Sequence, residues 1–193
     1  TIREEKPLAS VLSQLNESLS RLRASENVQS LCEEVLQTCA SLFGAPVVLC
    51  SFTQEGPGWA YHHTGCISQG EIYISEWNDL PSFFKDAMAN SGSTQDLVTH
   101  SQELGIEASF PLGRVLGVAP ALEDGLAVWI GVASLDEEPW EPSEVSRSLL
   151  EVFGQQVAVV FEKICVDAQR KELEVQYKTI VEQMPAIVYY RDF

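Results

Sequence analysis

Leucines recur in the first 25 residues at alternating spacings of four and three positions. They are Leu8, Leu12, Leu15, Leu19 and Leu22. This heptad seam predicts an N-terminal helix that pairs with other helices. Because two heptads are marginal for an isolated coiled coil, the seam favours a helix bundle formed with a second copy of the chain. The alternative is one amphipathic helix lying on its own domain.

A second helical pattern runs from Val28 to Leu42. Ser25 is a candidate N-cap for this helix, because its hydroxyl can accept a hydrogen bond from the first turn. Gly44 is placed to end the helix, and Pro46 follows just beyond it. We therefore expect a helix with one buried apolar face.

The period then changes to that of strands. Apolar runs at 47–52 and 59–64 flank a turn at 56–58, the second run ends at a glycine, and residues 71–76 form a third extended segment. Pro81 suits the first position of a short helix, since its missing N–H would have no partner there. These signals predict a strand-rich middle of the chain.

An Asp-Gly pair lies between two further β-rich runs. Residues 115–122 and 126–135 flank Asp124-Gly125, which is a strong hairpin signal. Residues 94–113 are less regular, with Leu97-Val98 as a candidate short strand. We therefore predict two more strands joined by a turn at Asp124-Gly125.

The last predicted element is a long helix from about Ser143 to Met184, a stretch that contains no proline. Phe161, Ile164 and Ala168 lie on it at bundle spacing, and we expect them to join the leucine seam in a dimer interface. The full order of elements predicts an α+β fold. An antiparallel sheet is flanked by helices, and the N- and C-terminal helices are long.

The second hairpin and the helix after it resemble those of GAF domains. The similarity is carried by Leu116-Gly117-Val118-Ala119-Pro120-Ala121-Leu122, by Asp124-Gly125, by Ile130-Gly131-Val132-Ala133-Ser134 and by Leu149-Leu150-Glu151-Val152-Phe153-Gly154-Gln155-Gln156-Val157-Ala158. It spans about Val28 to Lys163 and implies a GAF-like domain of a bacterial multidomain signalling protein. These are packing and turn motifs, so they carry no information about a ligand.

Residues 177–189 are similar to the opening of a PAS domain. The two resemblances together imply four segments, which are an N-terminal dimerisation helix at 1–25, a GAF-like domain at 26–163, a signalling helix linker at 164–176 and the truncated start of a PAS-like domain at 177–193. Tandem modules of this kind are typical of bacterial sensor histidine kinases of two-component systems and of diguanylate cyclases. We therefore expect downstream PAS and output domains in the same protein.

The charge disfavours two classes of partner. The chain has 12 basic and 28 acidic residues and a net charge of −16, which repels nucleic-acid backbones and anionic lipid surfaces. No apolar run approaches the roughly 18 residues of a membrane span. The five cysteines are odd in number and lie mostly within apolar patterns, as reduced buried thiols do. We expect a cytoplasmic protein without nucleic-acid or direct membrane contact.

The sequence lacks the common catalytic and metal-binding motifs, so we expect no enzyme activity, no metal and no resident cofactor. His62 and His63 cannot easily share one ion with Cys66, because adjacent side chains of a strand point to opposite faces. Asp79-Leu80-Pro81 resembles an acidic-aliphatic-proline motif of bilin-binding GAF domains. The only cysteine downstream is Cys165, which is not followed by His. A covalent bilin is therefore not expected.

Aromatic residues indicate a noncovalent pocket between the sheet and the segments that cover it. Trp59, Tyr61 and His63 share one strand face by alternation. The covering segment contributes Tyr73, Trp77, Phe83, Phe84 and His100. Aromatic rings with a few polar tips suit a small planar or apolar ligand of unknown identity. The alternative is that these rings simply fill the core.

Three functions follow as hypotheses. The first is a non-catalytic sensory or regulatory module that binds a small ligand, dimerises, and relays a helix rearrangement to the next domain. The second is a purely structural dimerisation module whose pocket is filled by side chains. The third, more distant, is a cysteine-dependent reductase of the free-methionine-sulfoxide type, for which Cys50 or Cys66 would be essential.

Overall fold

The computed structural model describes the backbone of residues 8–68, 70–89, 94–96, 112–135 and 143–183. Its helices are α1 (Leu8–Arg23), α2 (Val28–Phe43), α3 (Ser82–Ala89) and α4 (Glu144–Gln183). Its strands are β1 (Val47–Gly56), β2 (Trp59–Ser68), β3 (Glu71–Trp77), β4 (Thr94–Asp96), β5 (Leu112–Val118) and β6 (Leu126–Leu135).

The described strands form one antiparallel sheet in the order β3-β2-β1-β6-β5-β4. β1 lies in the middle and pairs along most of its length with β2 on one side and β6 on the other. Helices flank this sheet, and α4 is long. The arrangement confirms the predicted α+β fold.

The sheet separates two hydrophobic clusters. On one side, which we call the helix face, α2 and α4 pack over Val48, Cys50 and Phe52 of β1, and α1 packs against α2 and α4. On the other side, which we call the α3 face, Val47 and Leu49 of β1 pack with α3. Successive residues of β1 therefore serve opposite clusters, which is why its first four positions are all apolar.

The start of α2 differs from the prediction. Asn27, rather than Ser25, is the N-cap, because it directly precedes the first helical residue. Its side-chain oxygen accepts a 2.9 Å hydrogen bond from the Ser30 amide, and its own amide donates to the Ser30 hydroxyl at 3.4 Å. Together these two bonds form a capping box. Gly44 ends the helix in a left-handed conformation, with φ 56°, as predicted.

β2 does not end at Gly65 but continues to Ser68. A Cβ atom at Gly65 would lie 2.9 Å from the Cys50 sulfur and 3.0 Å from Leu36 Cδ1. The glycine therefore lets α2 approach the strand closely and does not mark a turn. Pro81 is also displaced by one position, since it lies just before α3 and its carbonyl accepts from the Phe84 amide. Leu97-Val98 lies outside the described residues.

The leucine seam of α1 packs within its own chain. Leu15 and Leu22 are buried in the cluster on the helix face, and Leu19 packs against that cluster. The side chains of Leu8 and Leu12 lie outside the described part. Dimerisation of the chain stays a prediction, while these three leucines face their own domain, as the single-domain alternative has it. The physical reason is that α2 and α4 already occupy the apolar face of α1.

The residues of α4 that we expect in a dimer interface divide between the domain's own core and the surface. Phe161 and Ile164 are buried in the core of their own domain, and the Phe161 ring lies 5.2 Å from that of Phe52. Ala168 is exposed. Beyond Cys165 every described residue of α4 is exposed, although the helix continues unbroken to Gln183. None of the helices in the described ranges is long and apolar enough to cross a membrane.

Candidate ligand-binding site

A cavity of about 410 Å³ lies on the α3 face of the sheet. Its floor comes from β1, β2 and β6, its opposite wall from α3 and the residues just before it, and one end from the turn at Gly125. The lining residues are Thr53, Glu55, His62, Asp79, Leu80, Lys85, Met88, Gly125, Leu126 and Ala127. The volume fits a small metabolite.

The floor of the cavity is polar and buried. Thr53 and His62 are register partners on β1 and β2, so their side chains lie side by side on one face. The Thr53 hydroxyl and His62 Nδ1 are 3.1 Å apart and form a hydrogen bond. Both residues are about 95% buried. Such a pair is costly to bury unless it is hydrogen-bonded, and this bond fixes the orientation of the imidazole.

The opposite wall carries an ion pair. The Lys85 ammonium of α3 lies 2.8 Å from the Asp79 carboxylate, and both side chains reach solvent. The hydrogen bond and charge of Lys85, with a smaller effect of the nearby His62, lower the pKa of Asp79 below its ordinary value. The cavity thus presents a cation, an imidazole and the carboxylates of Asp79 and Glu55 to its contents.

One end of the cavity is made of backbone. Asp124 and Gly125 both have positive φ, at 58° and 72°, as a tight turn of this kind requires. The Glu55 amide donates to the Gly125 carbonyl at 2.9 Å. A Cβ atom at Gly125 would lie 2.4 Å from the Glu55 carbonyl oxygen. The turn therefore rests directly on the end of β1, and only glycine permits that approach.

Next to the cavity the α3 face is filled by aromatic rings. Phe83 and Phe84 pack edge-to-face on each other, with centroids 5.1 Å apart, and each lies 5.9 Å from the Trp129 ring of β6. The Trp129 ring lies against Gly117 and Gly131, where a Cβ atom would come within 2.5 Å of it. This apolar cluster anchors α3 to the sheet.

Two buried polar atoms lack a hydrogen-bond partner beside this cluster. They are the Ser51 hydroxyl oxygen and Trp129 Nε1, which belong to register partners on β1 and β6. A second tryptophan on the same face does have a partner, since Trp77 Nε1 of β3 donates a 2.9 Å hydrogen bond to the Thr64 hydroxyl of β2. Buried polar groups without partners are rare and call for an explanation such as an ordered water.

The structure separates the eight predicted pocket residues. Trp59, Tyr61 and His63 share a face of β2 as predicted, but pairing with β1 places them on the helix face. Trp59 and Tyr61 are largely exposed there, with ring centroids 5.6 Å apart. His63 lies 3.1 Å from Glu76. These three residues therefore do not line a site with α3, because the sheet itself lies between them.

The other predicted residues lie on the α3 face or outside the described residues. Tyr73 and Trp77 belong to strand β3, and Tyr73 packs against the α3-face cluster. Phe83 and Phe84 are buried in that cluster and do not line the cavity. For these two, the alternative of rings that fill the core fits the structure. His100 lies outside the described residues.

Sequence reasoning missed Thr53, His62, Glu55 and Lys85 as cavity residues. His62 was assigned to the opposite strand face from the pocket, since the phase of β2 was set by its aromatic residues. The one usable signal was Asp79-Leu80-Pro81, whose first two residues do line the cavity.

The cysteines are all free and buried. Burial raises the pKa of Cys66 to about 12 and that of Cys165 to about 11. The pKa values of Cys39 and Cys50 are also raised, by burial first, and at Cys50 additionally by Cys32. Because the thiolate is the reactive form, these environments suppress thiol chemistry. Within the described ranges no group of three His, Cys, Asp or Glu side chains could hold a metal ion.

No family model and no curated protein sequence matches the chain. Solved structures do match at low sequence identity. Bacteriophytochrome RpBphP3 from R. palustris is 11% identical with a TM-score of 0.61, and the match covers 94% of this chain and 42% of that one. The GAF domain of a phosphoenolpyruvate-protein phosphotransferase (ptsP) from Coxiella burnetii is 10% identical with a TM-score of 0.57, covering 85% and 99%.

A third match is the far-red absorbing dark state of JSC1_58120g3 with bound biliverdin IXa. It is 14% identical with a TM-score of 0.51, and the match covers 78% of this chain and 98% of that one. The chain thus spans less than half of the bacteriophytochrome but nearly the whole of the isolated ptsP GAF domain. At these identities the likeness concerns the fold. The antiparallel sheet, its flanking helices and these matches together show that the chain has the fold of a GAF domain.

Proposed function

We propose that the chain is a sensory or regulatory domain that binds a small charged metabolite, an anion or a zwitterion, in the cavity on the α3 face. The observation that carries this proposal is the buried Thr53–His62 pair facing a wall that bears Lys85. Burying a polar imidazole costs free energy, and apolar side chains would fill the same space at lower cost. A hydrogen-bonded imidazole at the base of a cavity therefore indicates a role in binding.

The charges favour a polar ligand over the planar apolar one expected from the aromatic residues. Lys85 and the imidazole of His62 offer two donors to an acidic group, while Asp79 and Glu55 offer acceptors to an amine or hydroxyl. One similar structure is described with biliverdin bound, so the fold can hold a small molecule.

Only the sheet separates the cavity from α4, so a movement of a strand at the cavity can reach the helix directly. On β1, Thr53 lines the cavity while the adjacent Phe52 contacts Phe161 of α4 on the other face. On β6, Ala127 lines the cavity while Val128 belongs to the helix-face cluster. A ligand that shifts either strand by a fraction of an ångström would therefore change the packing under α4. Relay through α4 to PAS-like and output domains remains part of this proposal.

The test is a thermal-shift screen of the whole chain against amino acids, dicarboxylic acids and nucleoside monophosphates. A ligand at about 100 times its Kd stabilises by about 2.7 kcal/mol, which for a chain of this size raises Tm by roughly 5–10 °C. His62→Ala should abolish the shift. His63→Ala is the matched control, because the adjacent imidazole lies on the helix face and should leave the shift intact.

Equal loss in both variants would show that the response arises elsewhere. A panel in which no compound raises Tm, together with a native mass spectrum that shows no excess mass per chain, would favour the structural-module alternative. The reductase alternative predicts loss of a thiol-dependent turnover in Cys66→Ser, and the raised pKa of Cys66 weighs against it.

A further inference from the structure

One surface of α4 is apolar at a strict interval of seven residues. The positions are Val145, Val152, Val159, Val166, Leu173 and Ile180. Each is between 54% and 66% exposed, and nothing in the described ranges covers them. They are six of the 11 large hydrophobic residues that the described surface exposes. We call this set the valine stripe.

The interval identifies the kind of partner. An α-helix has 3.6 residues per turn, so positions seven apart drift around a straight helix by about 20° per heptad and by about 100° over five heptads. They form one continuous seam only if the helix supercoils to the left around another helix. A flat protein surface or a lipid surface would select a different period. The stripe therefore indicates a helical partner along about 50 Å of α4.

The core residues of α4 do not compete for this seam. Leu150, Phe153, Val157 and Phe161 point into the domain and end at Cys165, whereas the stripe continues for two more positions beyond Val166. The half of α4 after Cys165 has every described side chain exposed. An isolated helix of that length is marginal in water, so its apolar positions require a contact from outside the domain.

We propose that the partner is a second copy of this chain, with the two α4 helices parallel and in register. Residues three positions after each stripe residue form the other half of the seam. They are Ser148, Gln155, Glu162, Gln169, Gln176 and Gln183, all exposed. In a parallel pair in register, equivalent positions face each other, so valine meets valine, four glutamines meet glutamines, and Glu162 meets Glu162 as the one like-charge contact of the seam. An antiparallel pair would place apolar residues against these polar ones.

The distribution of charge supports a pairing between identical helices. α4 carries five basic and seven acidic residues, a net charge of −2, while the whole chain carries −16. Two copies can therefore approach along α4 with little repulsion, whereas the rest of the surface keeps them apart. A polar residue at a core position of a coiled coil specifies its register at a cost in stability, and the polar half of this seam favours the in-register pairing in the same way.

The first test measures the oligomeric state by sedimentation equilibrium, without any ligand. The wild-type chain should show twice its mass of 21.3 kDa, and Val166→Glu should raise the Kd at least about tenfold by placing two carboxylates at one seam position. Val175→Glu is the matched control. Val175 is equally apolar and exposed but lies off the stripe, so its variant should dimerise like wild type. A monomeric wild-type chain, or equal weakening by both variants, would overturn the proposal.

The second test fixes the orientation. Leu173→Cys should form an intermolecular disulfide with oxidised glutathione as the oxidant, because equivalent seam positions of a parallel pair lie within disulfide reach. Val175→Cys should not. The native thiols are buried, with pKa values raised at Cys66 and Cys165, and so compete little. If the Leu173→Cys variant dimerises but forms no cross-link between its two copies, the parallel register is excluded.

Discussion

On the helix face of the central strand, Val48, Cys50 and Phe52 belong to one hydrophobic cluster with residues of α1, α2 and α4. On the α3 face, the same strand passes from Val47 and Leu49 to the buried Ser51 and Thr53. The helix face is apolar from Val48 to Phe52, while the α3 face changes over the same length from a hydrophobic cluster to a polar cavity floor. Under the proposed function, the α3 face combines packing with recognition, while the helix face carries packing alone. Substitutions on the two faces should therefore differ in how much they lower the free energy of unfolding and in which local probe they change.

The largest effect is expected on the helix face. Phe161→Ala removes a buried ring that packs on Phe52 and should lower the free energy of unfolding by about 3–5 kcal/mol. Urea denaturation followed by circular dichroism measures this loss. Val175→Ala on the exposed part of the same helix should change it by less than about 0.5 kcal/mol. Similar losses for both variants would contradict the assignment of the core to this face.

A pair of glycine substitutions compares the two faces directly. Gly131→Ala on the α3 face would place a Cβ atom 2.2 Å from the Trp129 ring and should cost about 1–3 kcal/mol, because the ring is held by two phenylalanines. Gly65→Ala on the helix face meets Leu36 Cδ1 at 3.0 Å and the Cys50 sulfur at 2.9 Å. The leucine tip can move, so we expect a cost of about 1 kcal/mol or less. Near-ultraviolet circular dichroism should change only in Gly131→Ala.

Two hydroxyl deletions test the polar part of the α3 face. Thr64→Val removes the acceptor of the Trp77 indole and should cost about 1 kcal/mol. Ser51→Ala removes a buried hydroxyl that has no partner, so it should be neutral or slightly stabilising. A clear loss of stability in Ser51→Ala, measured by thermal unfolding, would mean that an ordered water or a retained ligand satisfies Ser51.

The smallest effect concerns the ion pair on the cavity wall. Lys85 lowers the pKa of Asp79, so the folded state favours the ionised carboxylate. This contribution is complete above the ordinary pKa of the carboxyl and is lost as pH falls through the lower folded value. Lys85→Met should return the pKa of Asp79 to about its ordinary value, as a carbon-detected NMR titration can show. Stability near neutral pH should barely change, since both side chains are exposed.

The fold could be predicted from the sequence because the features that indicate each helix, strand and turn are local. The change of period at Val47, the turn at Asp124-Gly125 and the left-handed Gly44 each act on a few neighbouring residues. The order of these elements predicted the α+β class, and the GAF resemblance narrowed that class to one fold. The N-cap was misplaced by two residues, since Ser25 and Asn27 are both good caps and only the geometry of the first turn separates them.

The site was less accessible because it depends on strand phase. His62 and His63 are adjacent, and a shift of one residue exchanges their faces. The aromatic residues of β2 favoured the wrong phase, because Trp59 and Tyr61 are large yet lie exposed near the hairpin end. The helices posed a similar problem. Two sides of α4 carry apolar residues. One side contains Phe161 and Ile164, and the other carries the valine stripe. Only their burial in the structure shows that the first side faces the domain's own core.

The turn at Gly125 constrains how this domain could acquire new specificity. A wall built from side chains can be reshaped by single substitutions, but here any side chain at residue 125 would strike the backbone of Glu55. Single substitutions at residue 125 therefore cannot reshape that end of the cavity. Under the proposed function, homologous domains that bind other ligands would have to diverge at the α3 wall, around Lys85 and Met88, while keeping the glycine. Variation among relatives should accordingly be concentrated on one side of the cavity.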